Sequence, residues 1–128
     1  MNALIISPDQ ELASRCVMEL AKYGCRICAQ SSLAAALSAV EARSSDTARQ
    51  DLAVLARLNA CQCHEALGTL KTHLLTRSAG ILIVNDQLKA EEIQELLKSG
   101  AECYCKPFLA AIFSARARGL LRRRKNPA

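Results

Sequence analysis

The sequence predicts an α/β fold built on a doubly wound, five-stranded parallel sheet. Three observations carry that expectation. Five short apolar runs recur along 128 residues, at 4–6, 25–29, 52–56, 81–84 and 103–105. Each is followed by a longer stretch that reads as a helix, from apolar residues at helical spacing or from helix-forming composition. The runs 4–6, 52–56 and 81–84 are apolar throughout rather than alternating, as strands covered by helices on both faces must be, and 25–29 is short and β-compatible.

The elements follow in order. Leu4, Ile5 and Ile6 form a buried strand that stops at Ser7-Pro8. In the helix that follows, Leu12, Cys16, Leu20 and Tyr23 share one face; Asp9 is its expected N-cap, Glu11 lies in its first turn and Gly24 stops it. The second strand spans 25–29, and a helix rich in Ala and Leu follows Ser31-Ser32. The polar stretch 42–50 reads as a loop before the third strand, 52–56. The segment 64–75 predicts a helix with Ala66, Leu67, Leu70 and Leu74 on one face and Gly68 as its weak point. Gly80 opens the fourth strand. A short helix over 90–98 turns Ile93, Leu96 and Leu97 inward, with Gly100 just past its end. Cys103-Tyr104-Cys105 is a very short fifth strand, Pro107 breaks it, and the last helix spans 109–124.

The composition bounds the function. The chain fits one domain, expected at 1–121, with 122–128 as a basic tail or the start of a linker. Only 3% of residues are aromatic and there is no Trp, so the core is aliphatic and a base-stacking platform for nucleic acid is not expected. The net charge of +5 is concentrated in Arg116, Arg118, Arg122, Arg123, Arg124 and Lys125, and no acidic residue follows Glu102. Two readings of that end stand: attraction to an acidic partner, or a solvated helix terminus where cations are favourable. No apolar stretch approaches the length of a membrane span and the N-terminus lacks a secretory pattern, so a cytoplasmic, reduced protein is expected. Neither phosphate-cradling glycine motif occurs. In a doubly wound sheet ligands sit beyond the carboxyl ends of the strands, so the functional stretches are Ser7-Pro8, 56–63, Asn85-Asp86 and Lys106-Pro107.

Residues 100–108, Gly-Ala-Glu-Cys-Tyr-Cys-Lys-Pro-Phe, together with the fivefold β-α order, resemble the receiver domains of two-component response regulators over nearly the whole chain. The resemblance implies a flavodoxin-like strand order of 2-1-3-4-5. It also implies a pocket in which an acidic pair holds Mg²⁺, an Asp accepts a phosphoryl group, and a Thr or Ser and a Lys assist. Those positions are here Ser7 and Pro8 for the acidic pair, Ala56 for the acceptor, Asn85 for the hydroxyl residue with Asp86 after it, and Lys106 for the Lys. Phosphoryl transfer needs a nucleophile held in line and a metal held by oxygens, and Ala56 and Pro8 supply neither. Asp9 lies one position late. The family has two residues between its Tyr and Lys, whereas only Cys105 separates Tyr104 from Lys106, which shifts the facing of Lys106. If Lys106 enters the pocket, Asp9 or Asp86 is its expected partner; otherwise it is solvated.

The last helix is similar to that of receivers in winged-helix transcription factors. The resemblance implies dimerisation through the last two helices and the fifth strand, a face that here carries Ile93, Glu102, Tyr104, Ile112 and Arg116. Ile112 stands where an acidic residue is usual. The expectation is a phosphorylation-independent regulatory or dimerisation domain of a bacterial transcription regulator, neither an enzyme nor the binder of a cofactor or a small-molecule substrate. Its partner would be a second copy or another protein, with DNA reached only through a domain outside this chain and no membrane contact. Two alternatives remain: a stand-alone adaptor, and a thiol or metal sensor using Cys61, Cys63, Cys103 and Cys105, for which the loop after the third strand and the end of the fifth would bring the two pairs together.

Overall fold

The computed structural model describes residues 1–106 and 108–125; at positions 45, 46, 124 and 125 it describes the backbone alone. The elements run β1 (Asn2–Ile6), α1 (Gln10–Ala21), β2 (Arg26–Gln30), α2 (Leu33–Glu41), α3 (Ser45–Ala48), β3 (Leu52–Ala56), α4 (Ala60–Thr72), β4 (Gly80–Val84), α5 (Ala90–Lys98), β5 (Cys103–Cys105) and α6 (Ala110–Lys125). All five strands are parallel in the order β2-β1-β3-β4-β5, as expected.

The pleat divides the apolar strand residues between two cores. Leu4, Ile6, Ala53, Leu55, Ile81 and Ile83 face Ala36 and Val40 of α2, Ala66, Leu67 and Leu70 of α4, and Leu96 of α5. Ala3, Ile5, Leu52, Val54, Ala56, Leu82 and Val84 face Leu12, Cys16 and Leu20 of α1 and Phe113, Ala117, Leu120 and Leu121 of α6. At Gly80 an added Cβ would lie 3.2 Å from Leu120 Cβ and 3.3 Å from a Glu102 carboxylate oxygen. The glycine therefore lets α6 settle against the start of β4.

Several boundaries differ from the sequence expectation. Helix α4 begins at Ala60, not at His64, because Asn59 and Gln62 form a reciprocal capping box there. It ends at Thr72, so Leu74 lies beyond it, 66% exposed instead of packed on a helical face. The stretch expected as a loop contains α3, with Gln50 donating back to the carbonyls of Thr47 and Ala48. Tyr23 lies past the end of α1 and is partly exposed, the chain turning at Gly24 with φ 72°. Leu97 was expected inward with Leu96 but is 42% exposed, while Ile93 is half-buried. Helix α6 runs unbroken through 121–122, so the change from body to basic tail falls inside one helix. Pro107 and residues 126–128 of the expected tail lie outside the described residues.

Candidate functional site

The carboxyl ends of β1, β3 and β4 converge on a cleft of about 280 Å³, walled among others by Asp9, Arg15, Arg57, Asn85, Asp86 and Phe108. Local hydrogen bonds fix its walls. Ser7 is buried; its Oγ accepts from the Asp9 amide at 3.1 Å and contacts the Asp9 carbonyl at 3.2 Å. Asp9 caps α1 as the sequence predicts, Oδ1 accepting from Leu12 N at 3.1 Å. Asn85 is buried and spent on the loops: Nδ2 donates to the Leu58 carbonyl at 2.6 Å and Oδ1 accepts from Gln87 N at 2.7 Å. Ala56 is fully buried and presents a methyl group where the resemblance puts the phosphoryl acceptor.

The residue that organises the cleft is Arg57, which the sequence reading did not single out. It is the one non-glycine at positive φ among the described residues, at 58°, and its amide extends the β3–β4 ladder by donating to the Val84 carbonyl at 2.9 Å. Its guanidinium lies between two carboxylates, with Nη1 3.3 Å from Asp9 Oδ2 and Nη2 3.3 Å from Asp86 Oδ2. The available signal was an Arg placed directly after an apolar strand, at the sheet edge where ligands bind. Arg15 and Phe108 close the far side, with the Arg15 guanidinium carbon 4.6 Å from the ring centroid.

Lys106 is exposed and does not wall the cleft. The cation that Asp9 and Asp86 hold is therefore Arg57 instead of Lys106, consistent with the shortened spacing after Tyr104. Pro8 is exposed. With Arg57 in place the oxygen donors do not fit a divalent ion: Asp9 is shared between its helix cap and Arg57, Asp86 faces Arg57, and Asn85 and Ser7 are committed to backbone groups. Mg²⁺ demands near-ideal octahedral oxygen coordination, and a fixed positive charge already lies between the carboxylates.

Cys61 and Cys63 lie in the first turn of α4, not in a loop. Cys61 is exposed, but Cys63 is fully buried, its Sγ 3.7 Å from the Leu58 carbonyl. Cys63 belongs to the core on one side of the sheet, and Cys103 and Cys105 pack with the core on the other. The two pairs do not meet. Desolvation pushes the Cys63 thiol up to about 11, helped by the charge of Glu92. Burial, with Cys105 nearby, likewise raises Cys16 to about 12. Among the described residues no group of three or more His, Cys, Asp or Glu could hold a metal.

On the face implied for dimerisation, Ile112 is 39% exposed rather than core, and Arg116 is exposed. Glu102 is half-buried and faces Lys71 of the same chain at 3.7 Å. Tyr104 packs partly against the α2–α4–α5 core; its hydroxyl is enclosed without a hydrogen-bond partner among the described residues, and desolvation raises its pKa.

No protein-family model and no curated protein matches the chain. Solved structures do. A putative response regulator from Chloroflexus aurantiacus is 21% identical with a TM-score of 0.78, covering 95% of this chain and 98% of that one. A response regulator from Thermotoga maritima is 12% identical with a TM-score of 0.80, covering 94% and 97%. NtrX from Brucella abortus, solved in complex with ATP, is 18% identical with a TM-score of 0.79 over 97% of this chain and 27% of its own. With its 2-1-3-4-5 sheet and its cleft at the carboxyl ends of β1, β3 and β4, the chain has the fold of response-regulator receiver domains.

Proposed function

We propose that this chain is a receiver-fold regulatory module that works without aspartyl phosphorylation and without enzymatic activity, through contacts with protein. The observation that carries this reading is Ala56 at the end of β3, buried and followed by an Arg that neutralises the two carboxylates of the cleft. Aspartyl phosphorylation needs a carboxylate oxygen as nucleophile, and the incoming charge must meet a metal and cations. Here the nucleophile is a methyl group, and the carboxylates that would recruit the metal are already paired.

The contact surface in this reading is the α5–β5–α6 face. Leu109 and Ile112 are large apolar side chains exposed at and near the start of α6, and Arg116 lies one turn beyond Ile112. A second copy of the chain is the favoured partner. The module would sit in a cytoplasmic bacterial transcription regulator, with DNA contacted through another domain. The adaptor alternative uses the same face with a different protein. The thiol or metal sensor is disfavoured, since Cys63 is inaccessible and lies across the sheet from Cys103 and Cys105.

The test is incubation with acetyl phosphate and Mg²⁺, read by intact mass. The expected result is no phosphoryl adduct, in the native chain or in Ala56→Asp, because restoring one carboxylate leaves Pro8, Asn85 and Arg57 unchanged. A stoichiometric adduct on the native chain would overturn the reading.

A further inference from the structure

We propose that the Arg57 guanidinium is the resident cation of the cleft, fixed where a divalent ion would otherwise join Asp9 and Asp86, so that these loops are held together without metal. The proposal deepens the reading of the cleft as a non-phosphorylatable pocket by naming what occupies it.

Three observations and the chemistry of the guanidinium support it. Asp9 comes from the β1–α1 loop, Asp86 from the β4–α5 loop, and Arg57 from the end of the strand between them. One guanidinium reaches both carboxylates, a different nitrogen meeting each at 3.3 Å. A planar fork with several donors suits such bridging, which a single ammonium does less well. Finally, Arg57 adopts a left-handed backbone that residues other than Gly, Asn and Asp rarely adopt, at the position from which it reaches both loops.

Two carboxylates facing one space, completed by waters, are a common setting for Mg²⁺. With Arg57 present, a divalent ion meets a fixed positive charge. With Arg57 removed, Asp9 and Asp86 retain the carboxylates but lose their counter-charge, and the cleft becomes a divalent-cation site.

The informative substitution is Arg57→Gly, because glycine accepts φ 58° and removes the cation without imposing strain. Arg57→Asn, also tolerant of this backbone, is a second neutral variant. Thermal unfolding is read in MgCl₂ or MnCl₂ against NaCl of matched ionic strength. The native chain is expected to show no specific response. Arg57→Gly is expected to gain a rise in Tm of about 5 °C at a tenfold excess over the dissociation constant. Adding Asp86→Asn to Arg57→Gly should abolish the gain, and Mn²⁺ should broaden the amide resonances of Asp9 and Asp86 only when Arg57 is absent. The proposal is overturned if the native chain responds to Mg²⁺ as Arg57→Gly does, or if neither neutral variant responds. Both results are independent of any phosphoryl adduct, so failure here is distinguishable from failure of the phosphorylation reading.

Discussion

Arg57 shows how magnitudes separate a stabilising residue from a functional one. Its left-handed backbone costs a non-glycine residue about 1–2 kcal/mol. Its two ion pairs are 29–41% exposed at the side chains, a setting in which each contributes about 0.2–1 kcal/mol. The terms nearly cancel, so the residue adds little to stability and its effect is on where the loops sit. Glu19 is a different kind of residue. Its carboxylate lies 2.6 Å from Lys22 Nζ and accepts from Ser114 Oγ of α6 at 3.3 Å. Lys22, and to a lesser degree Ser114, hold its pKa below the ordinary carboxylate value against the opposing effect of desolvation. A group lowered in the folded state contributes stability above its unfolded pKa and loses it as pH falls through the folded one. Lys22 is raised by the same pair, so its contribution is present below the ordinary lysine range and lost as pH rises through its folded pKa. Glu19→Gln should therefore flatten the acid limb of the stability–pH curve, measured by urea unfolding between about pH 3 and 7. An unchanged slope would mean that the contact does not persist in solution.

At the scale of elements, α6 has a buried face and an exposed face. Phe113 is fully buried against α1 and the sheet, with its ring 5.3 Å from that of Phe108. Its neighbour Ile112 is exposed. Phe113→Ala should destabilise the chain by about 3–5 kcal/mol, from lost transfer energy and an unfilled cavity, as read from the urea midpoint. A loss below about 1 kcal/mol would contradict the packing of α6 on the sheet. The element boundaries follow local chemistry more than hydrophobic pattern. Helix α4 starts where Asn59 and Gln62 cap each other, four residues before its apolar periodicity becomes legible. It stops at Thr72 although Leu74 continues that periodicity, because the chain leaves helical geometry at His73.

At the scale of the molecule, the α5–β5–α6 face is the proposed contact surface. Glu102, half of the charge pattern implied there, faces Lys71 within its own chain. What remains on offer is more apolar, with Leu109 and Ile112 exposed. If a second copy docks on this face, Ile112→Asp should weaken self-association by at least about tenfold, read by sedimentation equilibrium, since a buried carboxylate is costly. The unfolding midpoint of the monomer should stay nearly unchanged, as for other surface substitutions. A native chain that is monomeric at every concentration would remove the dimer from the proposed function and leave the adaptor reading.

The sequence alone determined the architecture. Apolar central runs without alternation require a sheet covered on both sides, and helical crossovers between consecutive strands make those strands parallel. It also determined that Asp9 caps α1, a matter of local capping chemistry. Only the tertiary structure decided which cation Asp9 and Asp86 hold. Arg57 lies 48 residues from Asp9 and 29 from Asp86 in sequence. No spacing rule links them; the parallel register of β1, β3 and β4 places their ends side by side. The sheet itself separates Cys63 from Cys103 and Cys105, because α4 packs Cys63 on one face while Cys103 and Cys105 join the core on the other.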